Sequence, residues 1–463
     1  MHLSEPVIKK GFFFTPLEPN KKYPGVMTIS DGGNIEVELT ADDSAFTSFD
    51  DMEIGRLIGI VEGGYVTLEG CGYRKKSMSF PGLPATSYID AKMAFVGVGL
   101  EEPGEFLSMQ FGVDGLSEWW NQSAFKFDIG RDFQDFKLSV EIPPPVEFLL
   151  PDGTQFKISI DARIPGGRKF PTFEFFHQAV IQLTPPEPKP FDYFTGLSHQ
   201  ITRFFAFLIG NPVAIHSLSA KLNDPQLDPL HQWLQVYFRS LNNPTKKRDK
   251  PFRSLEMLLP YSSVESGLQS LLSKWLEEYE NLGPALHHYY LIQDGSHRYI
   301  DTKFISMAQA LEAFHRRTTE MTRWPKSEYK LKVDAIIESC PDSDKEWLKE
   351  KLNFGNEVTL ADRLRNMLEP YSSVFGGEDS VANIVKQTKD TRNYHAHYDA
   401  KGARKATKGA ALVALTFRLQ VLFTLCIVVR LGLKVEEALN LVKTEALARL
   451  LKSANNIDEN AGK

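Results

Sequence analysis

Prolines divide this chain more sharply than any other feature of its sequence. Of 27 prolines, only Pro284, Pro325, Pro341 and Pro370 follow Pro260. Proline breaks helix interiors, and within sheets it is confined to edges and turns. The first half of the chain is therefore predicted to contain strands and loops, and the second half helices. With 463 residues the chain also exceeds one ordinary core, so we expect two or three domains.

The first half shows the alternation that is typical of strands. Residues 35–39 alternate apolar and acidic side chains between a glycine pair and an aspartate pair. Residues 148–150 and 156–160 flank a Pro-Asp-Gly turn at residues 151–153, which predicts a hairpin. Short strands separated by Gly, Pro and Asp predict a sandwich-like β-rich domain, with a barrel as the alternative.

The second half shows helical periodicity. Phe304, Met307, Ala308, Leu311 and Phe314 form a stripe at i, i+3, i+4 spacing. Further helices are predicted over residues 264–279, 328–340, 344–353, 359–368, 378–396, 405–432 and 434–453. The fold class expected is therefore α+β multidomain, in which an all-α bundle follows a β-rich region.

The most apolar segment, residues 410–433, is long enough to cross a membrane. Arg418 and Gln420 lie near its middle, and a charge at the bilayer centre costs roughly 3 kcal/mol. We therefore interpret the segment as a buried helix of an all-α core, and we expect no membrane association.

The domain boundary is predicted near residues 245–260, after a polar run that contains Lys246-Lys247-Arg248. This divides the chain into a β-rich sensing or regulatory region, residues 1–255, and a helical domain, residues 256–463. The basic run itself is interpreted as a solvated loop.

Composition excludes several classes of protein. The net charge of -6 argues against a broad basic surface for nucleic acid, although a small active site needs only a few cations. The three cysteines lie far apart and form no CxxC pair, so neither a disulfide framework nor a cysteine zinc site is indicated. We expect a cytoplasmic protein that uses no metal or other cofactor. The pair Trp119-Trp120 has two readings, a structural aromatic pair or a platform for stacking a ligand, and the structural one is favoured.

One short string combines groups that could carry chemistry. Residues 390–399, Asp-Thr-Arg-Asn-Tyr-His-Ala-His-Tyr-Asp, close a predicted helix. A histidine can take the proton of a ribose 2′-hydroxyl, whose oxygen then attacks the adjacent phosphorus. An arginine can stabilise the charge that develops on the phosphate. The string could therefore support metal-free cleavage of RNA, whereas DNA would not react in this way.

The spacing within the string leaves the choice of histidine open. Arg392 and His397 are five residues apart, about 140° around an ideal helix. Either the helix ends or distorts at the motif, or two copies meet across a dimer. His395 is three residues from Arg392 and would lie on the same face, so spacing alone makes it a rival to His397.

These residues also carry a family resemblance. Residues 392–397, Arg-Asn-Tyr-His-Ala-His, match the R-x4-6-H motif of HEPN domains. The C-terminal region resembles the HEPN module of ApeA-type prokaryotic anti-phage proteins, with residues 304–315 similar to its first core helix. The N-terminal half resembles the β-rich domain that accompanies this module, because residues 11–13 and 24–28 are similar to its opening strands. The resemblance covers most of the chain.

The resemblance implies a helical bundle, a homodimer in which the two motifs meet, and metal-independent endoribonuclease activity. It also implies growth arrest after phage infection, that is, defence by abortive infection. By this pattern Arg392 and His397 are catalytic and Asn393 supports them. His395 and Glu312 are carried as supporting residues, Glu312 because some relatives have an acidic helix residue there.

Three functional hypotheses follow. The first is a dimeric endoribonuclease that acts on RNA, with tRNA among the candidate substrates and a phage-derived trigger. The second is a HEPN-like bundle that binds RNA without cutting it. The third is an interaction protein whose β-rich domain recognises a phage component while the helices only dimerise. Intact Arg392 and His397 favour the first.

Overall fold

The computed structural model describes residues 1–41, 52–76, 85–129, 136–163, 175–227, 232–240, 251–295, 298–398 and 400–461. Their contacts divide the chain into two units, Met1–Leu276 and Glu277–Lys463. The run Lys246-Lys247-Arg248, near which the domain boundary was predicted, lies outside the described residues.

Six antiparallel strands at the start of the chain close into a barrel. These are β1 Val7–Phe14, β2 Tyr23–Ser30, β3 Asn34–Ala41, β4 Glu53–Val61, β5 Gly64–Lys75 and β6 Ala85–Ala91. They pair in the order β5-β4-β1-β2-β3-β6, and β6 pairs with β5 again, which closes the ring. The alternation predicted at residues 35–39 is confirmed, because Ile35, Val37 and Leu39 of β3 are buried and the two glutamates between them are not.

The sheet continues from the barrel into a second, open part. The remaining strands are β7 Met93–Val96, β8 Glu105–Val113, β9 Phe125–Ile129, β10 Phe136–Val140, β11 Val146–Leu149, β12 Gln155–Arg163, β13 Phe176–Thr184, β14 Lys189–Pro190, β15 Ile215–Leu222 and β16 Trp233–Phe238. The open part runs in the order β5-β7-β16-β15-β8-β13-β12-β11, while β9 and β10 pair separately. The predicted hairpin is confirmed as β11 and β12.

The first unit also contains helices, which lie between and after the strands along the chain. They are α1 Leu116–Trp120, α2 Phe191–Ile209 and α3 Tyr261–Val264, and α4 Leu268–Gln293 continues into the second unit. Trp275, near the end of the first unit, packs against Phe204 and Phe207 of α2, with ring centroids 5.8 and 6.0 Å away. These contacts tie residues that follow the predicted boundary, 255/256, to the β-rich unit.

The described residues of the second unit form helices joined by turns and short loops, with one isolated β-bridge. Its helices are α5 Ile300–Thr318, α6 Lys326–Glu338, α7 Lys345–Leu352, α8 Leu360–Leu368, α9 Glu378–His397, α10 Ala400–Ala403, α11 Gly409–Arg430, α12 Val435–Leu441 and α13 Glu445–Ala461. The fold class is thus confirmed, a β-rich half followed by a helical bundle. Within the β-rich half, the first six strands form the barrel and the others extend the sheet or pair separately.

Helix α11 forms the centre of this bundle. It packs against α5, α8, α9, α12 and α13. It is long and apolar enough to span a membrane, yet 72% of its most apolar window is buried inside the protein. This burial is typical of a core helix. It agrees with the interpretation drawn from the charge of Arg418, which is unfavourable inside a membrane.

One predicted helix is two helices in the structure. The amphipathic pattern predicts a continuous helix over residues 434–453, but α12 ends at Leu441 and α13 begins at Glu445. Between them Thr444 donates from its hydroxyl to the Leu441 carbonyl (2.7 Å) and its own carbonyl accepts the amide of Ala448. Threonine is a preferred residue at the position before a helix, and here its hydroxyl also satisfies a carbonyl at the end of α12, so the chain breaks there.

Helices α6 and α7 form a helical arm, residues 322–357, that adds little to the core. Its ends are joined by a bridge between Thr322 and Glu357 and by the Arg323 amide, which donates to the Asn356 carbonyl at 3.0 Å. Neither helix buries a residue. The arm exposes Leu331, Ile336, Trp347 and Phe354.

Deleting most of the arm should leave the bundle as stable as before. Replacing residues 325–355 with a short Gly-Ser turn removes no buried side chain, and surface changes usually shift stability by less than about 0.5 kcal/mol. Thermal unfolding followed by circular dichroism should give the same midpoint for both chains. A clear drop in the midpoint would mean that the arm covers part of the core.

The cysteines should differ strongly in reactivity. Burial raises the pKa of the Cys71 and Cys426 thiols to about 12, whereas Cys340 is partly exposed. Since the thiolate is the reactive form, a thiol reagent should titrate one group, Cys340, in the native protein and three in denaturant. Cys340→Ser should abolish the native reaction. Rapid modification of Cys71 or Cys426 in the native chain would contradict their burial.

Candidate active site

The histidine-rich string lies at the C-terminal end of α9. The helix is regular through His397, and Tyr398 then adopts a left-handed backbone (φ 50°) that ends it. The buried Thr391 fixes the end in place, because its hydroxyl accepts the amide of Thr407 at 2.9 Å. The side chains of four predicted site residues therefore lie on the last two turns of one anchored helix. They are Arg392, Asn393, His395 and His397.

Arg392 points to helix α5. Its Nη2 lies 3.4 Å from Oε2 of Glu312, and the arginine side chain is 37% exposed whereas the glutamate is 19% exposed. The contact brings together two of the site residues predicted from the sequence. Its length and exposure leave the guanidinium open to a phosphate, for which it is a well-suited bidentate partner.

Glu312 is shared between two arginines. Nε and Nη2 of Arg316 lie 3.3 and 3.2 Å from Oε1, while Oε2 faces Arg392. Arg316 is held in turn by Glu357 at the base of the arm, 2.8 Å from its Nη1. The ion pairs with both glutamates raise the pKa of Arg316, with Glu357 the larger cause. The Glu312 carboxylate is thus fixed on both sides, which limits where Arg392 can lie.

A buried polar pair lies in α5 and α8. His315 is fully buried and its Nδ1 lies 3.0 Å from Nη1 of Arg363, which is 5% exposed. Since arginine only donates, Nδ1 must accept, and Nε2 then donates to Oδ1 of Asn366 at 3.1 Å. Burial lowers the pKa of both His315 and Arg363. The histidine is therefore a neutral structural link between two helices.

His395 is packed against α5. Its side chain is only 8% exposed, and its Nε2 lies 3.9 Å from Oδ1 of Asp301. Its ring lies 6.4 Å from Phe304, 5.2 Å from Tyr394 and 5.8 Å from Tyr398, measured between centroids. Arg392 and His395 thus share the face toward α5, as their spacing predicts, but aromatic rings enclose the imidazole.

His397 and Asn393 are exposed. Neither side chain has a hydrogen bond or ion pair within the part of the chain that the structure describes. Because α9 is regular to its last residue, His397 lies about 140° around the helix from Arg392. One chain therefore offers the two side chains on different faces, and the helix end does not turn His397 back onto the face of Arg392.

Several residues of this site were absent from the sequence-based prediction. They are Asp301, His315, Arg316, Glu357, Arg363 and Asn366. The contact of Arg316 with Glu312 could have been predicted, since Arg316 follows Glu312 by four residues on a predicted helix. The contact of Glu357 with Arg316 could not, because 41 residues, which include the arm, separate the two in sequence.

Two family models match the chain. The model described as ApeA N-terminal domain 1 matches residues 8–275, which is more than half of the sequence. The model described as Apea-like HEPN matches residues 305–437, and this range contains Glu312 and the whole of the histidine-rich string. The chain belongs to the ApeA-like family. No curated protein and no solved structure matches it.

Membership of this family gives a coarse function. HEPN domains in ApeA-like systems are typically of the ribonuclease type, and the family is associated with anti-phage defence. The matched domain order, ApeA N-terminal domain first and HEPN second, is the order in which the β-rich and helical regions occur here.

Proposed function

We propose that this ApeA-like protein is a metal-independent endoribonuclease that acts in the cytoplasm and defends by abortive infection. The observation that carries the proposal is the accessible pair at the end of α9. A partly exposed guanidinium, Arg392, and an exposed imidazole, His397, both belong to the segment that matches the HEPN model. RNA is the substrate, with tRNA among the candidates, and a phage-derived component is the trigger.

In the proposed reaction, the His397 imidazole takes the proton of a 2′-hydroxyl. The freed oxygen attacks the neighbouring phosphorus and the bond to the 5′-oxygen breaks, which leaves a 2′,3′-cyclic phosphate and a 5′-hydroxyl. A protonated imidazole supplies the proton of the leaving oxygen. Arg392 binds the non-bridging oxygens and stabilises their growing charge. Asn393, exposed on the same helix end, supports the substrate through its amide.

The proposal includes a homodimer. Arg392 and His397 lie about 140° apart around a regular helix, so one copy of α9 does not bring both onto one phosphate. Two copies of the helix end, facing each other, could supply an arginine and a histidine to each phosphate. The exposure of His397 and of Tyr398, which is 70% exposed, is consistent with a surface that a second copy covers.

The test is cleavage of RNA by the purified protein in EDTA. Total RNA and an oligonucleotide that contains a mapped cut site are the substrates, and RNA from phage-infected cells maps the site if a trigger is needed. The expected products carry 2′,3′-cyclic phosphate ends, and a single 2′-deoxy substitution at the site abolishes the cut. A cut that survives this substitution would rule out the mechanism. A folded protein that binds but never cuts RNA, in vitro or in infected cells, would favour the binding module.

Glu312 is expected to act as a positioning residue in this reaction. Glu312→Gln removes the charge that holds Arg392 and Arg316. The arginine then loses orientation, so kcat should fall about tenfold, the cost of one charge-assisted hydrogen bond. KM should not rise, because the site becomes more positive toward RNA. A rise in KM at unchanged kcat would show that Glu312 serves binding and not orientation.

A further inference from the structure

A cavity of about 710 Å³ is lined entirely by residues of the first unit. Its lining includes residues of the barrel strand β5, the end of β6 and the first turns of α2. The volume falls within the range of small-molecule and cofactor sites, roughly 300–1,000 Å³. Nothing in the proposed ribonuclease mechanism uses this space.

Two glycines keep the cavity open. A Cβ added at Gly196 of α2 would meet no atom within 4 Å, and one at Gly72 of β5 would meet only the Met52 carbonyl, at 3.3 Å. Glycine inside a helix costs about 1 kcal/mol relative to alanine. Packing does not require Gly196, so its local effect is to leave space in the cavity wall.

Two cations in the lining of the cavity are available to an anion. Among the described residues, neither Lys92 nor Arg239 has an ion-pair partner. A third cation, Arg74, is already paired with Glu36 at 2.7 Å and with Asp90 at 3.7 Å. Lys92 and Arg239 line the same cavity as the carboxylate of Asp192, and the two cations can bind phosphate oxygens.

The remaining lining suits a sugar and a flat ring. Asp192 is an acceptor for ribose hydroxyls, and the hydroxyls of Thr195 and Ser198 donate to helix carbonyls, which leaves their lone pairs free to accept. Four larger side chains with apolar surface also belong to the lining, beside the polar His199 and Ser240. These are Tyr73, Met93, Ile215 and Phe238.

We infer that this cavity binds a nucleoside phosphate. The phosphate lies at Lys92 and Arg239, the ribose near Asp192, and the base against the apolar lining. A free phosphate would leave the apolar lining unused, and a free nucleoside would leave both cations unpaired. The N-terminal region thereby gains a small-molecule site that is separate from the RNA-cleaving end of α9.

Titration calorimetry on the full-length protein tests the inference. The probes are AMP, GMP, CMP, UMP and ATP, with inorganic phosphate and adenosine as partial ligands. At least one nucleotide should bind, and both partial ligands should bind much more weakly. Lys92→Ala combined with Arg239→Ala should weaken nucleotide binding by about tenfold or more. Gly196→Phe should abolish it by filling the space.

Matched controls separate the cavity from other causes. Gly267→Phe, also at a glycine with no atom near its Cβ but outside the cavity, and Lys10→Ala, an exposed barrel lysine, should leave binding unchanged. His397→Ala should also bind nucleotide normally, so failure of the ribonuclease proposal leaves this result intact. Failure of every nucleotide to bind would overturn the inference. So would binding that survives both the charge variant and Gly196→Phe in chains whose circular dichroism is native.

Discussion

His397→Ala should lower the rate of RNA cleavage by about a thousandfold. General acid–base catalysis contributes roughly 10²–10⁴ to a rate, and no other imidazole is exposed on the described part of α9 to replace it. The side chain is exposed and has no partner among the described residues, so its removal should not destabilise the fold. Single-turnover cleavage of the mapped oligonucleotide in EDTA measures the effect, with circular dichroism confirming the fold.

Arg392→Ala should cause a loss of similar size, because the group that stabilises the charge on the phosphate is removed. Arg392→Lys is the informative companion. It keeps the charge near Glu312 but loses the planar fork, so most of the activity should still be lost. Equal activity of the lysine variant and the native chain would mean that charge alone suffices.

His395→Phe is the matched control for both. The phenyl ring can take the place of the imidazole among Phe304, Tyr394 and Tyr398, while the proton-carrying nitrogens are removed. We expect cleavage within a few-fold of the native rate. Loss of cleavage with His395→Phe and retention with His397→Ala would reverse the assignment, and Asp301, 3.9 Å from His395, would then become the partner of the catalytic imidazole.

The sequence predicted individual strands of this fold better than the closure of the first six strands into a barrel. Alternation in residues 35–39 and the Pro-Asp-Gly turn act over a few residues, so β3 and the β11–β12 hairpin could be predicted locally. The return of β6 to β5, which makes the first six strands a barrel, joins Gly72 to Asp90. Such a pairing leaves no pattern in either strand alone, and sandwich and barrel could not be distinguished.

In the second unit and its site, too, local sequence patterns do not predict contacts between residues that are distant in the chain. The apolar stripe through Leu439, Val442 and Ala446 continues across the break between α12 and α13, so periodicity could not reveal it, although Thr444 was a usable signal. Arg392 and Glu312 were both predicted from the sequence and are in contact. Glu357 holds Arg316, and Arg316 in turn holds Glu312. This arrangement depends on how the arm folds back, and no local sequence pattern encodes that.

Trp119→Ala should destabilise the β-rich unit strongly, by about 3–5 kcal/mol. The side chain is fully buried, and its ring lies edge-on to Phe205 and Tyr261 at centroid distances of 5.1 and 5.3 Å. Its Nε1 donates to the Leu259 carbonyl at 2.7 Å, and the alanine variant leaves that buried oxygen without this donor. A ligand-stacking platform would need an open ring face, so this burial confirms the structural reading of the tryptophan pair.

Urea denaturation followed by circular dichroism would measure the effect of Trp119→Ala on the free energy of unfolding. Trp119→Phe keeps an aromatic ring and loses the indole donor, so it should cost less than the alanine variant. Trp347→Ala on the helical arm is the matched control, since that indole is 60% exposed and its removal should cost less than about 0.5 kcal/mol. Equal losses of stability at the two tryptophans would contradict the packing of Trp119 against Phe205. We expect a large loss of unfolding free energy for Trp119→Ala and not for Trp347→Ala. If Trp119→Ala still cleaves RNA at urea concentrations below its unfolding transition, the stability of the β-rich unit and the chemistry at the end of α9 are independent.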